Sequence, residues 1–449
     1  MTMPYSWREE IGAMLASFRR KSARGLLRDA FIVGSGSVGA QLFAILLIPV
    51  ITRMFSVSNF GVMTTFTAVT VTVAVFGNGS YDQAINLPKE GSKAWSLFCL
   101  CIAIASVFSS AVFLVTIIFE HKISQFIFGV AHSKLVFLVP LTVLSYNINI
   151  AMLFLTIRMR GFKMLSGSAF LGTAANQGSK VAGGWLLGDK LWLLVTGSFL
   201  QSCIPCFFLG AYIFRKMPKD IIRLPGKSEL RALMVEYKNF PLYSTWVEFL
   251  LNLNRNITII LLAAAYSSAV VGIYGLANNV FRLPLSIIGD SFRQVCLPRF
   301  SALMNDKMPI RGLFVKVLLG IAVLVVIPFA VIIAFGPQLF SLVFGQRWAE
   351  AGAYARIISP WLFMMVFLPP VSVILVIMQK QRVRLAFNII LTAFQVAMLI
   401  MAKTIQIDIL TLLGALSVGS SVIYAYKIFY AFHLIKGYER SYSRAINIG

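Results

Sequence analysis

The chain has 449 residues, of which 58% are hydrophobic and 12% charged, and its mean hydropathy is +0.82. That is far more apolar residue than a soluble core of this length needs, which excludes a water-soluble globular protein and leaves a polytopic membrane protein. The formal net charge of +24 would suggest nucleic acid in a soluble chain, but here the basic residues stand between apolar runs, where membrane topology accounts for them without such a partner.

Residues 1–27 are basic. Trp7, Ile11, Met14, Leu15 and Phe18 share one face of a potential helix, so the segment is either an interfacial helix on anionic lipid or a disordered tail. No cleavable signal peptide is evident; the basic segment leads to Ala30–Ile51, an apolar run of spanning length. Twelve spans are predicted, at about 30–52, 59–80, 94–119, 134–157, 164–187, 191–214, 240–265, 270–298, 313–335, 354–378, 385–402 and 408–432. Placing the N-terminus and every second loop in the cytoplasm puts 29 of the 40 Lys and Arg inside and seven outside, leaving Lys180, Arg255, Arg282 and Arg293 within spans. That bias predicts an even number of spans with both termini cytoplasmic.

The longest polar connection divides the chain into a basic segment (1–27), a six-helix bundle (28–214), a cytoplasmic linker (215–239), a second six-helix bundle (240–432) and a cytoplasmic tail (433–449). Two short matches relate the halves. Phe55-Ser-Val-Ser-Asn-Phe-Gly61-Val-Met63 aligns with Tyr266-Ser-Ser-Ala-Val-Val-Gly272-Ile-Tyr274 at an offset of 211, and Ile123-Ser-Gln-Phe-Ile-Phe-Gly129 with Leu339-Phe-Ser-Leu-Val-Phe-Gly345 at an offset of 216. Six spans return the chain to its starting side, so the expected fold is all-α, with two bundles as parallel repeats about a pseudo-two-fold axis along the membrane normal. Transporter sites lie between such halves, and rocking of the halves exposes them alternately.

Polar residues inside the spans carry the functional reading. Ser244, Thr245, Glu248, Asn252, Arg255 and Asn256 fall on one face of the seventh span; Tyr274, Asn278, Arg282 and Ser286 make a comparable stripe on the eighth, with Pro284 predicting a kink beside Arg282. An arginine at mid-depth costs about 2.5–3.5 kcal/mol facing lipid, so Arg255 and Arg282 are expected to face each other's helices across water. Either Glu248 and the asparagines satisfy them internally, or they form an anion site, since the planar guanidinium fork suits phosphate oxygens.

The fifth span carries Thr173, Asn176, Gln177 and Lys180 on one face, and Lys180 either lines a cavity or snorkels outward. Arg28, Asp29 and Arg53 flank the first span, and Asp82 at the end of the second either accepts a proton or is a solvated helix-end charge; Asp290 and Arg293 read as boundary residues. No Gly-x4-Gly-Lys-Ser/Thr loop, catalytic constellation or metal-ligand spacing occurs. Cys203-Ile-Pro-Cys206 lies in a span, where packing rather than redox chemistry is expected.

At this point the chain resembles a known family. Ile48-Pro-Val-Ile-Thr-Arg53-Met-Phe-Ser-Val-Ser-Asn-Phe-Gly61 is similar to the first-span exit of polysaccharide-transport proteins. Val271-Gly-Ile-Tyr-Gly-Leu-Ala277, Leu297-Pro-Arg-Phe-Ser301 and Leu342-Val-Phe-Gly-Gln-Arg-Trp348 are similar to later marks of that family, and the resemblance runs from Arg28 to about Ala402. It implies the multidrug/oligosaccharidyl-lipid/polysaccharide flippase superfamily: two six-helix bundles forming a V around a cationic cavity.

The function so implied is translocation of an undecaprenyl-diphosphate-linked oligosaccharide across the bacterial inner membrane, before polymerisation into O-antigen or exopolysaccharide. A polysaccharide polymerase and a chain-length regulator are then expected partners. Twelve spans argue against the fourteen-span peptidoglycan-precursor flippases. The expected substrate-binding set is Arg255, Arg282, Asn252, Asn278, Glu248, Lys180, Asn176, Arg53 and Arg28, with Asp82, Glu248 and Asp29 as candidates for Na+ or H+ coupling and no other cofactor. A cation-coupled multidrug exporter and a non-transporting scaffold for glycan enzymes are the competing functions. The first predicts acids facing aromatics, and the second predicts large cytoplasmic surfaces.

Overall fold

The computed structural model describes residues 36, 38–130, 133–306 and 308–446; inside helices, the side chains of 283–284, 286–295, 297–298, 305 and 441–446 fall outside that description. Arg28, Asp29, the 1–27 segment and the side chains of Ser286, Asp290 and Arg293 therefore lie outside it. Every regular element among the described residues is helical.

The first half runs α1 (Val38–Met54), α2 (Val57–Ala74), a short α3 (Tyr81–Ala84), α4 (Gly91–Ile118), α5 (Glu120–Phe128), α6 (Leu138–Arg158), α7 (Phe162–Leu187) and α8 (Leu191–Lys216). After α9 (Lys227–Glu236) come α10 (Thr245–Ala265), α11 (Ser268–Asn305), α12 (Arg311–Phe344), α13 (Ala349–Val366), α14 (Leu368–Ile377), α15 (Gln381–Ile405) and α16 (Ile409–Ile446). Among the described residues, helices occupy most of each of the twelve segments expected to span, the second ending in turn at 75–80. Nine of them, among the described residues, are long and apolar enough to cross a membrane. The described part of α1 is short, and α7 and α11 carry the amides and cations noted above, so these three fall below that measure. Pro284 lies within a continuous α11, whereas α12 departs from helical geometry at Phe335 (φ −120°, ψ 17°).

The helices pair mainly within each half: α7 with α8, α6 with α8 and α4 with α6 on one side, α12 with α13, α13 with α16 and α10 with α15 on the other. Contact between the halves runs mainly through α2, which packs on both α10 and α11. Phe60 and Ala68 of α2 are buried in the same apolar cluster as Val271, Ile273 and Tyr274 of α11.

The repeat is visible in that contact. Ser56 caps α2 by accepting from the Asn59 amide at 3.4 Å, and Ser267 caps α11 by accepting from the Val270 amide at 3.5 Å. These are equivalent positions at the 211 offset. A Cβ on Gly61 would strike the carbonyl of Ser268, and a Cβ on Gly272 would strike the carbonyl of Val57, so each glycine receives the main chain of the opposite repeat. The second match ends two helices, with Gly129 (φ 69°) closing α5 and Gly345 (φ 104°) closing α12, backbone conformations that favour glycine.

At the same end the halves are tied by polar contacts. Trp348 is fully buried and donates its indole N–H to the Thr52 carbonyl at 2.8 Å, its ring meeting Phe60 edge-on at 5.3 Å. Ser58 and Ser268 share a hydroxyl hydrogen bond of 2.6 Å. The linker, read from sequence only as a polar connection, contains α9 and docks on the first half. Glu229 accepts from the Ser96 hydroxyl at 2.6 Å, Lys93 pairs with Glu236 at 2.8 Å, and Tyr81 donates to the Met234 carbonyl at 3.1 Å.

Candidate anion site between the halves

The polar face of α10 turns toward the first half, as its spacing predicts. Thr245 donates to the Ser80 hydroxyl at 3.0 Å, and Asn256 donates to the Thr72 hydroxyl of α2 at 3.5 Å. Between these, Arg255 is exposed, while Glu248 and Asn252 are half-buried and Asn252 donates to the Glu248 carbonyl at 3.0 Å. Arg282 reaches over from α11 and donates through Nη1 to the Arg255 carbonyl at 3.3 Å. Two guanidinium-bearing residues on adjacent helices are thereby brought together, with Asn278 buried one turn away on α11.

What surrounds the pair sets its chemistry. The titratable neighbours acting on Arg282 are Arg255, Tyr274 and Tyr424, two phenols and another cation. Among the described residues, neither arginine forms an ion pair; the described ion pairs are Lys93–Glu236 and Arg223–Glu229. Internal neutralisation by Glu248 is thus not what the geometry gives. A site with paired, carboxylate-free guanidinium groups suits an anion with several oxygens, which one fork binds in a bidentate manner and a second completes.

Glu248 instead acts on Asp82, which lies in α3 beyond the end of α2 and is 7% exposed. Burial is the largest cause pushing the Asp82 carboxyl up to about 6; its own backbone hydrogen bond opposes the rise and Glu248 adds to it. Tyr146 of α6 lies within electrostatic reach of Asp82, Glu248 and Arg255 together, so the site is walled by α3, α6, α10 and α11. Sequence reasoning missed Tyr146. The available signal was Thr142, Tyr146 and Asn149, a polar stripe at helical spacing within an apolar run.

The remaining expected residues lie elsewhere. Lys180 is 5% exposed inside the first half, which removes the snorkelling reading. A Cβ at Gly197 would come within 2.9 Å of both Lys180 Cε and Asn176 Oδ1, so that glycine makes room for the lysine stem and the amide. Asn176 donates to Gln201 Oε1 at 2.7 Å and Gln177 to the Ala44 carbonyl at 3.3 Å. Arg53 stands at the Trp348 end, donating through Nη2 to the Leu342 and Val343 carbonyls at 3.0 and 3.3 Å. The structure thus joins Arg255, Arg282, Asn252, Asn278, Glu248 and Asp82 around one region, and sets Lys180 with Asn176 and Arg53 apart from it. Among the described residues, no three His, Cys, Asp or Glu gather as a metal site, and all five cysteines are free.

These features define a multi-pass, all-helical membrane protein. The chain belongs to the polysaccharide biosynthesis protein family, whose profile matches residues 50–353. A comparison with curated proteins gives no match.

Solved structures of the MOP superfamily share the fold. An inward-facing MATE family multidrug resistance transporter aligns with 14% identity over 89% of this chain and 96% of its own, at a TM-score of 0.63. An outward-facing MATE transporter aligns with 10% identity over 91% and 94%, at 0.54. A MOP superfamily transporter from Pyrococcus furiosus Vc1 (DSM3638), described as having a binding pocket of reverse polarity that suggests a different function, aligns with 12% identity over 92% and 96%, at 0.53.

Proposed function

We propose that this protein is a flippase for a diphosphate-linked lipid oligosaccharide, translocating an undecaprenyl-diphosphate-linked repeat unit across the bacterial inner membrane by alternating access. The observation carrying this reading is the Arg255–Arg282 pair, joined at 3.3 Å through the Arg255 main chain and, among the described residues, paired with no carboxylate. Diphosphate is a polyanion that matches two adjacent guanidinium groups. Membership of a polysaccharide biosynthesis family supports a glycan as the cargo.

The two halves act as rocking bundles about the α2–α11 contact, with Asn252 and Asn278 positioning the substrate. The bias of Lys and Arg supports placing α9 and both termini in the cytoplasm, which makes the Trp348 end periplasmic. The contacts gathered at that end support a state closed to the periplasm. Asp82 beside Glu248 supports coupling to H+ or Na+. Glycan polymerase and chain-length regulator would act on the delivered unit.

The competing multidrug exporter takes support from the MATE neighbours and from Asp82 and Glu248 beside Tyr146, but a pocket for cationic drugs needs its acids unopposed, and here Arg255 and Arg282 stand beside them. Charge reversal decides between them. Arg255→Glu and Arg282→Glu are expected to reach the membrane at normal levels and to lower glycan export at least about tenfold, because repulsion replaces a charge-assisted contact. Export at the parental rate by both variants refutes the anion site, and loss of drug tolerance with surface glycan intact on deletion would favour the exporter.

A further inference from the structure

A cavity lies inside the first half, apart from the arginine pair. It encloses about 410 Å³ between α2, α6, α7 and α8, within the range of about 300–1,000 Å³ in which small ligands are buried. Its polar lining includes Thr70, Thr142, Tyr146, Asn149, Gln201 and Ser202, over an apolar wall that includes Phe66 and Leu209; no lining residue carries a charge. This lining excludes two ligand classes. Phosphate would find no cation, and a cationic drug would find no acid.

Two buried groups in and beside it want a partner. Thr70, 3% exposed, has a hydroxyl oxygen with no hydrogen bond, and Asn176, 8% exposed, leaves its Oδ1 unsatisfied while its amide donates to the lining residue Gln201 at 2.7 Å. A buried polar atom without a partner is costly; Thr70 lines the cavity, so a small turn of its side chain offers that hydroxyl to a ligand, whereas Asn176 stands behind the lining residue Gln201.

We infer that this cavity is a subsite for the neutral saccharide portion of the lipid-linked substrate, an inference that rests on the flippase reading above. Saccharide hydroxyls both donate and accept, which matches a wall of threonine, serine and amide side chains, while the C–H faces of a pyranose pack on the aromatic and aliphatic walls. Tyr146 supplies the connection: it lines the cavity and also lies within electrostatic reach of Arg255. Headgroup recognition is therefore bipartite, with the diphosphate on the second half and the sugar adjoining it in the first, so that the substrate bridges the two bodies that rock.

The test uses the full chain in lipid nanodiscs and two probes, a polyprenyl diphosphate bearing its oligosaccharide and the same lipid without sugar. Thr70→Val and Thr142→Val, both close in shape to the parent, are expected to weaken binding of the glycosylated probe about fivefold to tenfold and to leave the bare diphosphate within about twofold. Arg255→Gln is expected to weaken both probes. Equal weakening of both probes by the cavity variants, or no change, overturns the subsite while the arginine site stands. A parent that binds neither probe overturns the flippase reading and the subsite with it; one that binds both equally overturns the subsite.

Discussion

Asp82 shows how position changes the behaviour of a single carboxyl. Burial, first, and Glu248, third after an opposing backbone hydrogen bond, raise it from 3.8 to about 6. An acid whose pKa rises on folding holds more protons in the folded state between about pH 4 and pH 6, so stability falls as pH climbs through that window and stays lower above it. Two units amount to about 3 kcal/mol. Asp82→Asn is therefore expected to flatten the pH dependence of thermal stability of the purified protein over that window and to exceed the parent at pH 7. A parental curve that shows no fall relative to the variant would contradict this account.

The arginines teach a related lesson. Arg53 donates to carbonyls of the last turn of α12, Arg356 to the Ala334 carbonyl at 2.9 Å, and Arg158 to the carbonyls of Ile85, Lys89 and Glu90. The carbonyls that receive Arg53 end a helix, lack intrahelical partners and carry partial negative charge, whereas Ala334 adjoins the distorted turn at Phe335 and the Arg158 acceptors lie in the connection from α3 to α4. Sequence made the charge of Arg53 visible but not its acceptor, which lies 289 residues away. Arg255 and Arg282 were legible because helical spacing alone placed each on a polar face.

At the scale of elements, α2 and α11 carry the most information. Their capping serines and their glycines recur at one offset, which is why a repeat of only nine residues was detectable and why it proved to be a contact. The α2–α11 approach tolerates no side chain at either glycine. Gly272→Leu is expected to separate the two helices at the Trp348 end, lengthening a spin-label distance across that end by several ångströms and reducing transport about tenfold or more. An unchanged distance would show that the crossing is not held by close backbone approach. Element edges were less legible. The sequence-based end of the ninth span at about 335 coincides with the distorted turn at Phe335, yet α12 resumes through Pro337 to Phe344, because one broken hydrogen bond does not stop a helix whose flanks are packed. The helix in the linker was hidden by its mixed polarity, its docking being supplied by α4 residues distant in sequence.

For the whole molecule, division into two sets of six expected spans followed from hydropathy, while the line along which they meet did not. Hydropathy reports which faces avoid water, and in lipid both the contact face and the outer face satisfy that demand. The cavity of the first half was illegible for the same reason: its hydroxyls and amides are spread over four helices, none of them polar enough alone to mark a site. The Trp348 end offers a direct test of the proposed rocking. With the five free cysteines replaced, Ser58→Cys with Ser268→Cys should form a disulfide across hydroxyls now 2.6 Å apart, abolish transport when oxidised and restore it on reduction. Full transport by the oxidised protein would mean that this end never opens.

The reciprocal glycine contact has a historical meaning as well. Two equivalent surfaces that bury each other, residue 61 on 268 and residue 272 on 57, are the arrangement of a symmetric pair of like subunits. A six-helix ancestor that left the bilayer on the side where it entered would insert every copy the same way up, and one small residue would have fitted both members of such a homodimer at once.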